Sequence, residues 1–442
     1  MQPSAVRTLR LLAMLLAAVA LVIPGTALAH GHGKRGHHHR GHHHANRHDD
    51  RDHGKGGVLY TTTNDPAGNA VQVYKRGEDG GLNLVETVQT GSPGLAAQPP
   101  FTFSIVDSSN SMALAGNLLF VVNDGDNTIT SLRTTGNGLK RVDTAASGGI
   151  LPISLAVSGN LLYVLNERSS SIFAYRFSHS GNLYPIANSA RLLSTPFPSG
   201  PGAPGTAAAQ IGFAPGGQQL VVTERGLPAQ HGVIDTFPVN ADGTTGPPKS
   251  LTGDSVDANP FGFSFNNAGQ LLVSNVGFVG PPVNFPDGNP PFAQVGDLSQ
   301  FAGSASSYNL SSTGDLAAIS TEVLSGGRGA CWLVLSKDQK YAFVSNTLAT
   351  GLPPGTGAGA ITTYTVGSDG SLTRVGQTDA DPGNATDLAV SPDGKFLYML
   401  NPGVFGPPSG IDVFKIGPGG SLMLTSNVTG VPATGLSGLA VS

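Results

Sequence analysis

Short apolar runs recur along the chain, each preceded by a small-residue turn and closed by a polar residue, usually Asn. The copies read GKGGVLYTTTN, LAGNLLFVVN, VSGNLLYVLN, APGGQQLVVTE, NNAGQLLVSN, SKDQKYAFVSN and SPDGKFLYMLN. They end at Asn64, Asn123, Asn166, Glu224, Asn275, Asn346 and Asn401. Runs of this length bounded by Gly, Pro and Asp are strand signals. After most copies comes an alternating strand and a glycine-rich turn, as in AITTYTVGSDGSL and GIDVFKIGPGGSL. Ile411, Val413 and Ile416 alternating about Asp412 and Lys415 predict a strand partly facing solvent. In SDGS and ADGT, the Gly after Asp accepts the positive φ that a hairpin turn needs.

Each copy thus opens into four strands, A to D, and seven such units at this spacing predict propeller blades. The ends of the body agree. The chain finishes TGLSGLAVS, which matches the A strands ATDLAVS (385–391) and PISLAVS (152–158), whereas the body begins with a B strand, GVLYTTTN. The expected fold is all-β: a seven-bladed β-propeller of four-stranded blades over 57–442. Its ring is closed by a C-terminal strand completing the N-terminal blade, which removes exposed sheet edges. Two proline-rich inserts, 276–304 and 348–359, follow strand B of the fifth and sixth blades. Proline keeps them from being regular strands, and long loops in compact domains are often functional.

Strand direction alone clusters the start of A, the end of B and the B–C loop on one face. That places Glu167, Arg168, Glu224, Arg225, His231 and Arg328 together, with Asn123, Asp124, Asp387 and both inserts. His179 falls in a C–D turn on the opposite face. A carboxylate, a guanidinium and an imidazole at a funnel mouth suit an anionic or carbonyl ligand. Arg orients a carboxylate bidentately, and Glu or His moves a proton. Glu167, Arg225 and His231 are the candidate catalytic residues; Arg168, Arg328 and Asn123 are the candidate substrate contacts.

Composition adds the surroundings. Arg7 and Arg10 precede a short apolar run and an Ala-x-Ala site, a secretory signal pattern with cleavage expected near Ala29. A secreted or periplasmic protein follows, with 1–29 as signal peptide and 30–56 as a disordered tail. That tail holds ten of the twelve histidines. His37, His38, His39, His42, His43 and His44 are dense enough to bind Zn, Ni or Cu ions, although an inert linker has the same composition. No cofactor is expected to be required. The formal charge is −4, and the tail's six Lys/Arg against three Asp leave the body more acidic still. This excludes nucleic acid as the body's partner. The lone Cys331, in GACWLVLS, reads as a small core residue. No Gly-x-Ser-x-Gly elbow, phosphate-binding glycine loop or spaced zinc set occurs in the body.

SPDGKFLYMLN, IDVFKIGPGGSL and above all LYVLNERSSSIFAYRF resemble the lactonase-type seven-bladed propellers, relatives of 6-phosphogluconolactonase and carboxy-muconate cyclase. The resemblance covers about 57–442. In the cyclase branch a glutamate after LNE is implicated in catalysis, which implies Glu167. An arginine after strand B of the next blade implies Arg225 in TERG. Two positions depart. The family's Pro-Arg-His leading into strand A of the third blade is Pro152, Ile153 and Ser154 here, and a histidine common in the second blade aligns with Ser111. Isoleucine cannot replace a guanidinium, and serine is no general base at neutral pH.

Two functions follow as expectations. One is an exported lactone hydrolase or cyclase acting on a small carboxylate-bearing lactone, with Arg225 holding the carboxylate and Glu167 moving a proton. The other is a non-catalytic propeller binding a ligand, a cell-envelope component or a protein through the same face. A monomer is expected in either case.

Overall fold

Each of the seven apolar copies forms a strand in the computed structural model. It describes residues 56–95, 109–136, 138–199, 205–226, 231–252, 259–277, 302–349, 359–380, 385–401, 409–429, 431 and 437–442. The expected signal segment and residues 30–55, with their histidines, lie outside the described residues. So do most of the two proline-rich inserts. Among the described residues the only helical element is the three-residue 3-10 turn Pro418–Gly420, and no helix is long and apolar enough to cross a membrane.

Among the described residues the strands build six antiparallel sheets. Counting blades from the N-terminus, the second holds Met112–Ala115, Leu118–Asn123, Thr128–Thr135 and Gly138–Ala146. The third holds Pro152–Ser158, Leu161–Asn166, Ser171–Phe177 and Leu183–Pro185, the fourth Thr206–Phe213, Gln219–Gly226, Val233–Pro238 and Lys249–Leu251. One sheet has seven strands because Leu316–Leu335 serves two units. Its first part pairs with Ala302–Leu310 and its last part with Tyr341–Ala349. Glu322, Gly326 and Gly329 adopt positive φ within it, which lets a nominally continuous strand turn from the outer edge to the centre. The C-terminal strand Ser437–Val441 pairs antiparallel with Val58–Thr62, in one sheet with Ala70–Arg76 and Leu82–Gln89. It also touches Met112–Ala115 on one side and the last unit's Leu388–Val390 on the other.

Burial explains the apolar runs. Leu118–Asn123 and Phe396–Asn401 are buried along their whole length. In the second blade, Leu119 and Val121 pack towards Tyr60 and Val71, while Leu118, Phe120 and Val122 pack towards Leu155 and Val164. A strand covered on both faces needs no polar alternation.

The third strands differ from expectation. Ile411, Asp412 and Val413 are all fully buried, so the alternation does not mark a solvent face. Asp412 instead meets the side-chain amide of Asn427 on the outer strand. Exposure falls on the fourth strands, such as Leu82–Gln89. The Asp-Gly turns behave as expected: Gly370 and Gly243 have positive φ, and Asp369 and Asp242 accept the N–H two residues on.

Glycines in these turns also receive bonds from the neighbouring blade. Tyr163 Oη donates to Gly243 O at 2.6 Å, and Tyr398 Oη donates to Gly80 O at 3.0 Å across the joint between the last and first units.

Candidate active site

The innermost strands bulge at one repeated place. Register shifts occur at Pro152/Ser154, Ala208/Gln210, Pro260/Phe263 and Ala330/Leu333. Bulges re-aim side chains near functional mouths, and here they lie beside the ends of the second strands, where the candidate residues sit.

Ser154, Gln210 and Asp387 occupy one repeat position, just past the bulge in the first two, and all three are buried. Each side chain caps an N–H on the next innermost strand. Ser154 Oγ accepts from Ile211 N at 3.2 Å and donates to Ser109 O at 2.6 Å. Gln210 Oε1 accepts from Phe263 N at 2.8 Å while its Nε2 donates to Phe263 O at 2.9 Å. Asp387 Oδ2 accepts from Leu439 N at 3.0 Å, and its Oδ1 accepts from Leu388 N at 2.8 Å. Ile153, fully in the core, packs with Leu165 and Ile211. The positions that depart from Pro-Arg-His are therefore structural staples in this chain. Ser111 is also buried.

Glu167 opens the turn after Leu161–Asn166. Its N–H donates to Leu151 O at 2.8 Å and its carbonyl accepts from Ser170 N at 3.0 Å. It is thus a turn residue by its backbone, while its side chain does something else. Glu167 Oε1 lies 3.6 Å from an Nη of Arg225 on the adjacent blade, with both side chains about nine-tenths buried. Arg225 is held by the pairing of Gln219–Gly226 with Thr206–Phe213. Its guanidinium sits 5.6 Å from the centroid of Phe261, whose edge meets Trp332 at 5.1 Å. An aromatic floor and a carboxylate partner hold the guanidinium in place.

Asp124 completes the group. It follows Asn123 just as Glu167 follows Asn166 and Arg225 follows Glu224, so three consecutive blades place a charged residue at one repeat position. Asp124 is buried, and neither carboxylate oxygen has a hydrogen-bond partner. Burial pushes its carboxyl well above the usual range, and the charge of Glu167 pushes it further. Sequence reasoning put Asp124 on this face without singling it out; aligning the residue after each terminal polar residue would have done so.

The other candidates sit differently. Asn123 is fully buried and its amide serves the corner: Nδ2 donates to Thr128 and Thr130 hydroxyls, and Oδ1 accepts from Asn69. Arg168 is half-buried with its guanidinium 5.0 Å over the Phe197 ring. Arg328 is half-buried on Leu316–Leu335, and His231 is exposed. Glu224 points into its blade, where Thr206 Oγ1 donates to it at 2.5 Å, and burial beside Asp235 pushes its carboxyl well up. Cys331 is buried with Sγ 3.6 Å from Thr347 Oγ1. Among the described residues no group of three His, Cys, Asp or Glu is placed to hold a metal ion.

Four-stranded sheets whose inner strands touch in sequence, with a buried carboxylate–guanidinium pair at one end, define a lactonase-like β-propeller. The family described as lactonase, 7-bladed beta-propeller, matches residues 37–195 and 295–437, and the chain belongs to it. Asp124 and Glu167 lie inside the matched segments and Arg225 between them. The fold is similar to that of a putative 6-phosphogluconolactonase from Bacteroides fragilis, at 17% identity and a TM-score of 0.62 over 88% of this chain and 98% of that one. It is similar also to the periplasmic gluconolactonase of Pseudomonas aeruginosa, at 17% identity and a TM-score of 0.63 over 87% and 98%. No curated protein matches the chain in sequence.

Proposed function

We propose that this chain is an exported hydrolase or cyclase of small lactones that carry a carboxylate, built on a ring of seven blades closed by its C-terminal strand. The observation that carries the reading is the Glu167–Arg225 pair, 3.6 Å apart on adjacent blades with both side chains about nine-tenths buried. In the hydrolytic direction, Arg225 holds the substrate carboxylate through its guanidinium. Glu167 takes a proton from water as the water oxygen attacks the lactone carbonyl carbon. The acyl–oxygen bond breaks, and the ring oxygen leaves as a hydroxyl once protonated. The lactonase family and the gluconolactonase named above support the reaction class.

A second reading, ligand binding without turnover, is favoured by the staple roles of Ile153 and Ser154, which leave the site without the guanidinium and imidazole of Pro-Arg-His. The test is a lactone panel with and without carboxylate substituents. Glu167→Gln should lower kcat by about 100-fold or more, and Arg225→Ala should raise KM selectively for carboxylate-bearing lactones. Unchanged turnover by Glu167→Gln removes that residue from the mechanism. A panel with no turnover at all removes the enzymatic reading; calorimetric binding of the same compounds then supports the other. Export with cleavage near Ala29, and metal capture by the histidines of 30–56, belong to the same proposal. Amino-terminal sequencing of the exported protein checks the first and zinc titration of a tail-deleted form the second.

A further inference from the structure

We propose that Asp124 is the proton donor of this site, the carboxylic acid that protonates the ring oxygen as the lactone opens. The inference rests on the lactone-hydrolase reading above and assigns it a second carboxyl group.

Geometry carries it. Asn127 closes the turn that Asp124 opens, and Asn127 Oδ1 accepts from Leu151 N at 2.7 Å. Leu151 O in turn accepts the Glu167 N–H at 2.8 Å. Two hydrogen bonds through one residue thus bolt the Asp124 turn to the Glu167 turn. Other buried carboxylates of the fold have evident structural partners. Asp235 accepts from Ser194 N, Ser194 Oγ and Ser250 Oγ. Asp387 accepts two backbone N–H groups, and Asp412 meets Asn427. Asp124 alone among these has neither oxygen bonded, although it is 4% exposed. A carboxyl left so costs stability, so a use outside the resting structure accounts for it better than packing does.

The charged group bearing on Asp124 is Glu167, itself paired with Arg225. Burial and that neighbour push the Asp124 carboxyl towards its acid form, while the guanidinium beside Glu167 suits a carboxylate. Two carboxyl groups with environments driven apart divide into acid and base. The step balances. Glu167 accepts a proton from the attacking water, the acyl–oxygen bond breaks, and the Asp124 proton goes to the leaving oxygen. Transfer of the proton from Glu167 to Asp124 restores the resting site, with one water consumed per lactone.

The experiment compares two carboxylate-bearing lactones, one with an alkyl and one with an aryl leaving oxygen, using the full chain and Asp124→Asn. An alkoxide needs the acid and a phenolate does not. Asp124→Asn should lose about 100-fold or more in kcat on the alkyl lactone and far less on the aryl one. Equal losses on both, or full activity on the alkyl lactone, overturn the donor role and leave Glu167 untouched. A wild-type protein that opens neither lactone overturns the hydrolase reading, and the donor role with it. A second measurement takes the infrared band that the wild type shows and Asp124→Asn lacks. The infrared carbonyl stretch of a buried carboxylic acid should disappear with the same midpoint as the alkaline limb of kcat/KM; different midpoints count against Asp124.

Discussion

Asp387 joins the last unit to the C-terminal strand, and its burial makes that joint sensitive to pH. Its carboxyl is pushed up to about 7, chiefly by burial and against the two N–H bonds that favour the charged form. In the unfolded chain it titrates at roughly 3.9. Between those values the folded protein binds a proton that the unfolded chain does not, so this residue's contribution to stability falls as pH rises through 7. From pH 5 to pH 8 the folded group passes through two units in which only the unfolded form is ionised. At about 1.4 kcal/mol per unit, that is ~3 kcal/mol. Asp387→Asn keeps the shape and removes the titration. Other buried acids, Asp124 and Glu224 among them, titrate equally in both proteins and cancel in the difference. Urea unfolding, followed by the fluorescence of the single, buried Trp332, should show the wild type losing ~3 kcal/mol relative to the variant between pH 5 and pH 8. Parallel curves would refute the reasoning. Parallel curves are also what results if the two N–H donors outweigh burial and hold Asp387 ionised across this range.

Two further outcomes test the packing. Gly80 has φ +85° and an added Cβ would lie 2.4 Å from Phe396 Cδ1, so Gly80→Ala should destabilise by about 1–3 kcal/mol, read as a lower urea midpoint. Restoring the family motif with Ile153→Arg and Ser154→His should not raise lactone turnover. It buries a guanidinium in the core and breaks the bonds of Ser154 to Ser109 and Ile211, and should cost more than about 3 kcal/mol; near-wild-type urea unfolding would show that the staple is dispensable.

The strands were legible because their causes are local. Leu118–Asn123 reads as a buried strand from its own residues, and Gly370 announces its turn through the Asp before it. The face shared by Glu167 and Arg225 followed from strand direction, which needs no side-chain detail. The polar residues of the third strands misled because Asp412 looks the same whether water or Asn427 lies beside it. Asn123 looked like a ligand contact for a similar reason, since its partners Asn69 and Thr130 lie in other elements.

The sequence by itself determined the period of the fold, the turns and the matching ends, since each depends on residues close along the chain. Only the tertiary structure decided which polar groups work and which hold the ring together. Ser154 and Asp387 became staples because a neighbouring blade presents an N–H to each. Asp124 became a buried acid because its corner is closed off from water, and Glu167, 43 positions away in sequence, pushes its carboxyl further up. Burial and charge act through space, and a propeller brings residues of different blades together at distances the linear order does not contain.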